Sequence, residues 1–202
     1  MSTPLTIDEP RNQRRKPESF AKLKKSARKL FVERGYHATR PQDIAREAGL
    51  GHGTFYLHFP DKRACFLAFV EDARSELDDY LRSRVDQNST LENFLATTIS
   101  AIYDYSAEHP GVLNAAMTDE AVIDTEGVQA MPLLRRWGRD WAEVIRKAAA
   151  DGHVTDAYDC DIIGQAIVGA LHQTGREGYA SDRKREQVVD NLTRFLVRAL
   201  KK

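Results

Sequence analysis

His52-Gly53-Thr54-Phe55-Tyr56-Leu57-His58-Phe59 interleaves hydrogen-bonding side chains with aromatic ones at a spacing that a short helix can sort. Phe55 and Phe59, four apart, turn inward together. Thr54 and His58, also four apart, and Tyr56 beside them are left outside, where a hydroxyl, a phenol and an imidazole suit phosphate oxygens and base edges. Bond-making chemistry has no comparable support: no Gly-x-Ser-x-Gly, His-Glu-x-x-His or paired-carboxylate arrangement occurs in a supporting context, so no enzyme is expected. Gly49, Gly51 and Gly53 do not make a dinucleotide-binding loop, because that loop follows a strand and here a helix precedes it. Cys65 and Cys160 stand far apart with no Cys-x-x-Cys and no histidine cluster, so neither a disulfide framework nor a metal site is expected. A reducing cytoplasm fits, and no cofactor is called for.

The elements that position these residues are helical. Phe20, Leu23, Ala27, Leu30 and Phe31 make one stripe of a helix from about Glu18, which Gly35 ends. A short helix from about Pro41 to Ala48 follows, with proline at its first turn, and Gly49-Leu50-Gly51 breaks it. A third covers about His52 to Phe59, Pro60-Asp61 closes it, and a long helix runs from Lys62 into the eighties. Two short helices joined by a glycine-containing turn behind a packing helix describe a helix-turn-helix. Beyond it the apolar spacing predicts helices over residues 90–108, a short one to about Met117, then about Val128–Ala150, Asp159–Arg176 and Asp182–Leu200. The fold class is therefore all-α, about nine helices, with residues 1–17 a basic arm, 18–62 a three-helix domain and 63–202 a larger helical bundle.

Charge divides along the same line. The whole chain is neutral, with 30 basic and 30 acidic residues, yet residues 1–70 carry 14 Lys and Arg against 7 Asp and Glu. A basic head on an acidic body points to a nucleic-acid contact made at one end, the acidic remainder being kept off phosphate. Arg11, Arg14, Arg15 and Lys16 suit a solvated tail or a minor-groove arm equally. No apolar run has the length of a membrane span, and Met1–Pro17 has no apolar core of the kind a secretory signal needs.

Leu30-Phe31-Val32-Glu33-Arg34-Gly35-Tyr36-His37-Ala38-Thr39, Asp43-Ile44-Ala45-Arg46-Glu47-Ala48-Gly49-Leu50 and Gly53-Thr54-Phe55-Tyr56-Leu57-His58-Phe59-Pro60-Asp61-Lys62 resemble the N-terminal domain of TetR-type transcriptional regulators, without a gap over about residues 20–72. The resemblance implies a three-helix DNA-binding domain, a larger ligand-binding and dimerisation domain, and usually repression relieved by a small molecule. It carries the groove-facing role to Gln42, His52, Gly53, Thr54, Tyr56, Leu57 and His58, and phosphate binding to Lys62. Gln42 can pair with adenine through two hydrogen bonds. The chain departs from the usual pattern at Arg40 and Gly51, where a hydroxyl residue commonly caps the helix, at His52, where lysine is common, and at the apolar Leu57.

One helix-turn-helix reads few base pairs, so a homodimer on a palindromic operator is expected. Its interface is expected on the last two helices, at Ile163, Ile167, Leu171, Val188, Leu192, Phe195 and Leu196, with small residues at Gly164, Gly169 and Ala170 allowing close approach. Phe94, Thr98, Ile102, Tyr105, Trp137, Trp141 and His172 are the candidates for lining an effector cavity, although such a stripe serves an ordinary core as well. The function expected is a sequence-specific regulator, a repressor released from double-stranded DNA by a small hydrophobic or aromatic effector. The alternatives are a regulator whose body senses a protein partner or nothing, and a helical enzyme or carrier with a vestigial head.

Overall fold

Leucines and phenylalanines at helical spacing bury one face of each helix, and the helices sort into two units. The structure is a computed structural model that describes residues 11–86, 88–118, 131–180 and 184–202. All nine elements among the described residues are helices: α1 Arg11–Ala38, α2 Pro41–Glu47, α3 His52–Tyr56, α4 Lys62–Arg82, α5 Leu91–Glu108, α6 Val112–Ala116, α7 Leu133–Ala150, α8 Cys160–Ala180 and α9 Arg185–Leu200. One unit is Met1–Glu71 and the other Asp72–Lys202, with α4 contributing to both. None of the described helices is long and apolar enough to cross a membrane.

In the first unit Leu23, Ala27, Leu30 and Phe31 of α1 meet Ile44 and Ala45 of α2, Phe55 of α3, and Cys65, Phe66 and Phe69 of α4 in one buried core. Phe31 and Phe66 lie edge to face at 5.0 Å, and Phe55 and Phe59 are 5.6 Å apart, separations in the favourable range for aromatic pairs. The turn between α2 and α3 is set by Gly49 at φ 68. Its amide donates to Arg46 O and the Leu50 amide to Ala45 O, the two bonds of a Schellman ending. α1 is broken at Gly35, whose φ of 76 and ψ of 171 are not helical, so the long helix ends there and only a short turn continues to Ala38. The fully buried Thr39 holds this turn by donating to Gly35 O at 2.8 Å.

Three boundaries differ from those the sequence predicts, one of them the end of α8, which runs on to Ala180 where the spacing stops near Arg176. α1 starts at Arg11 and carries Pro17 inside it, so residues 11–17 are helical; arginine, glutamine and lysine are good helix formers, although Pro17, in the second turn, cannot donate the helical hydrogen bond to the carbonyl four residues before it. Residues 1–10 lie outside the described residues. α3 stops at Tyr56 and not at Phe59; Pro60 accounts for the exclusion of Phe59, because it disfavours the helical conformation for the residue before it.

In the second unit α7 and α8 pack against each other at unusually close range. A methyl group on Gly164 would overlap the Gly138 carbonyl oxygen and lie 2.7 Å from the Ala142 amide nitrogen. Leu95 and Ile99 of α5, Ile145 of α7, Ile167 of α8 and Leu192, Leu196 and Leu200 of α9 form the larger core. Leu77, Tyr105 and Leu113 form a smaller one under α4 and α6. α7 ends at Asp151-Gly152 as expected, with Gly152 at φ 77 and the His153 amide donating to Ala148 O; its predicted start at Val128, like the predicted start of α9 at Asp182, lies outside the described residues.

Candidate nucleic-acid interface and cavity

α3 presents a polar surface because its one buried residue is Phe55. Gln42, His52, Gly53, Tyr56 and Leu57 are exposed, Tyr56 by 50% and Leu57 by 73%, and Thr54 is half-buried. The rings of His52 and Tyr56, one turn apart, meet edge to face at 5.2 Å. His58 is different. Its Nε2 lies 2.7 Å from Ser19 Oγ and its ring 5.5 Å from Phe20, so it is held against α1. Lys62 donates to Tyr36 O at 3.0 Å with its ammonium 4.1 Å from the Tyr36 ring centroid, and burial holds its pKa below the usual lysine value. Ser19 and Tyr36 are the partners that sequence reading missed, since each is distant in the chain from the residue it holds.

Neither Arg40 nor Gly51 supplies a side-chain cap to the helix it precedes. α2 keeps Pro41 at its first turn and an ion pair from Lys29 of α1 to Glu47 at 2.6 Å. That pair raises the lysine pKa and lowers the glutamate pKa, chiefly through the hydrogen bond. Both helices therefore owe their place mainly to packing, α2 on α1 and α3 on α2, with Ile44, Ala45 and Phe55 buried.

The second unit contains a half-open cavity of about 840 Å³. Phe94, Thr98, Ile102, Trp137, Trp141 and His172 line it, six of the seven residues that the sequence singles out. Tyr105 does not. It is 1% exposed in the smaller core, and its hydroxyl donates to Glu76 of α4 at 3.1 Å. Leu171, assigned by spacing to a subunit contact, lines the cavity instead, as do Leu77, Asp78, Leu81 and Arg82 of α4, which the sequence reading did not connect to it.

Three more of the interface expectations change. Ile167, Leu192 and Leu196 are buried in the chain's own core at 1%, 7% and 4% exposure and have almost no surface left for a partner. Ile163 is partly buried against the same core, Val188 is half-buried, and Phe195 is 64% exposed. The small Gly164 serves α7 within the chain. Apolar side chains facing outward on α8 and α9 are Ile162 and Phe195, with Ala166, Gly169 and Ala199 also exposed.

A two-turn element followed by a shorter polar helix on a basic three-helix core is the framework of a helix-turn-helix DNA-binding protein. The family model described as bacterial regulatory proteins, tetR family, matches residues 24–69. The HTH-type transcriptional regulator YdgC of Bacillus subtilis is 32% identical over 164 residues, 76% of this chain and 77% of its own length. The repressor KstR2 of Rhodococcus jostii is 29% identical over 140 residues, 66% of each chain. The fatty acid degradation regulator FadR of Bacillus halodurans shares the fold, with a TM-score of 0.69 at 20% identity over 88% of this chain and 94% of that one. The chain belongs to the TetR family and is a DNA-binding transcriptional regulator; the proteins it resembles are regulators, not enzymes.

Proposed function

We propose that this regulator is a cytoplasmic repressor that binds a palindromic operator as a homodimer and leaves it when a small, largely apolar effector fills the cavity of the second unit. The observation that carries the reading is the cavity itself: about 840 Å³, walled by Phe94, Trp137 and Trp141, is a volume typical of small-molecule sites. A body that sensed only a protein partner would have no use for it. In the head, Gln42, Thr54 and Tyr56 are the base and phosphate readers, with His52, Gly53 and Leu57 beside them. His58 and Lys62 position the end of α3 and the start of α4 through Ser19 and Tyr36.

Dimerisation through the exposed Ile162 and Phe195 faces of α8 and α9 gives the two heads that half-site recognition requires. Helix α4 begins at Lys62 and reaches the cavity with Leu77 and Leu81, so one element carries the effector's influence toward the head. An effector that favours the DNA-free dimer by about 100-fold supplies roughly 2.7 kcal/mol of coupling, enough to empty a moderately occupied operator.

Selection from a random duplex library at two salt concentrations tests the reading. A palindrome enriched with a steep salt slope is expected, and Gln42→Ala and Tyr56→Ala should lose that site while keeping the wild-type unfolding midpoint. Binding that shows no sequence preference, or variants that bind as wild type, would remove the assignment.

A further inference from the structure

The charged side chains of the cavity wall say what kind of effector it takes. Asp78 and Asp140 both line it, and Arg74 lies 3.7 Å from the first and 3.6 Å from the second. Arg82 is the one guanidinium among the described lining residues, and it is paired with Asp79; the imidazoles of His109 and His172 also line the wall. An anionic headgroup at this wall would thus meet two carboxylates and a cation already engaged. Asp140 and Arg82 are more than half exposed, so this repulsion acts on the solvent side of the cavity and is weakened by water, whereas an uncompensated charge carried deeper among the apolar residues is disfavoured.

Thr98 supplies a different handle. It is 6% exposed, and its Oγ1 is buried with no hydrogen-bond partner among the described residues. Thr97 of the same helix donates to Asn93 O at 2.7 Å and Thr174 of α8 to Ala170 O at 2.6 Å, while Thr193 of α9 shares the unpartnered state but does not line the cavity. Thr98 makes no such bond, although it lines the cavity. Rotation about its Cα–Cβ bond exchanges hydroxyl and methyl within one volume, and helical threonine populates two such rotamers. A buried hydroxyl without a partner favours a ligand that brings one.

We infer that the effector is an uncharged, mostly apolar molecule with a carbonyl or hydroxyl oxygen that hydrogen-bonds to Thr98, and that the cavity rejects carboxylates. This rests on the reading of the cavity as the effector site. The chain has two tryptophans, Trp137 and Trp141, and both line the cavity, so intrinsic fluorescence reports occupancy directly. Titration of the full-length protein with 2-undecanone, undecanoate and undecylammonium, alongside retention of the selected operator, separates the cases. The ketone is expected to bind at least about tenfold tighter than either ion, Thr98→Val to weaken it about tenfold, and Thr98→Ser to restore it. Tighter binding of undecanoate or of undecylammonium, or a Thr98→Val protein that binds ketone as wild type, overturns the inference while leaving the effector-site reading intact. If no probe changes the emission, or probes bind without any effect on operator retention, the effector-site reading falls and the inference with it.

Discussion

Cys65 is 2% exposed between the helices of the first unit, and burial pushes its thiol pKa up to about 12. The reactive species is the thiolate, so in the native protein a disulfide reagent at neutral pH should leave Cys65 unmodified, and only denaturant should expose it; rapid labelling of Cys65 in the folded state would contradict this packing. Asp104 makes the opposite case on the surface of the second unit. Arg185 at 2.6 Å, through its hydrogen bond first, holds the Asp104 carboxyl below the usual carboxylate value. A depressed pKa contributes stability that is complete above the unfolded value, about 3.9, and is lost as the pH falls through the lower folded value. Both side chains are about two-fifths exposed, so solvent screens the pair and its contribution is small. Urea unfolding of Asp104→Asn against wild type should show a modest deficit at pH 7 that persists to the bottom of the usual carboxylate range and closes only as the pH falls through the lowered folded value. Side-chain chemistry of this kind was only partly legible beforehand. Thr98 and Tyr105 occupy one helix two turns apart, which spacing alone puts on one face, yet Tyr105 reaches Glu76 of α4 while Thr98 faces the cavity. The difference is made by a neighbour distant in the chain.

Among elements, the α7–α8 contact is the least tolerant. Gly164→Ala must push the two helices apart, because the obstacle is the Gly138 carbonyl and the Ala142 backbone and not a movable side chain. A loss of about 1–3 kcal/mol is expected from such overpacking, read as a lower denaturation midpoint; an unchanged midpoint would mean the helices are not so close. Gly169→Ala, with nothing within 4 Å of the new methyl, should not share that loss within the chain. The glycines at 35, 49 and 152 announced helix ends in the sequence because each sits at positive φ, a conformation other residues resist. Gly164 gave no such notice of its partner: a small residue on a helix invites close approach without saying whether the approaching helix is in the same chain. The start of α1 was misplaced for a local reason, since Pro17 reads as a boundary when nothing apolar precedes it.

At the scale of the molecule, the exposed apolar side chains of α8 and α9 have one economical explanation, a second copy. Ile162 and Phe195 are 68% and 64% exposed; changing either to glutamate should convert a dimer to a monomer in sedimentation velocity and abolish operator binding while the cavity still takes its probe. A monomeric wild type would refute the assembly. The head has a further property that follows from its two uncapped helices. A five-residue helix makes barely a turn of hydrogen bonds, far short of what sustains a helix in water alone, and with Arg40 and Gly51 offering no side-chain cap its conformation is borrowed from the core of the first unit, in which Phe55 is fully buried. Residues 39–60 cut out as a peptide would be a random coil, and the same residues grafted onto a foreign helical scaffold would not carry their base preference with them. The reading surface is therefore inherited as a whole unit, and new operator preferences are reached by exchanging exposed side chains such as Gln42 and Tyr56 in place, with the buried aromatic core kept fixed beneath them.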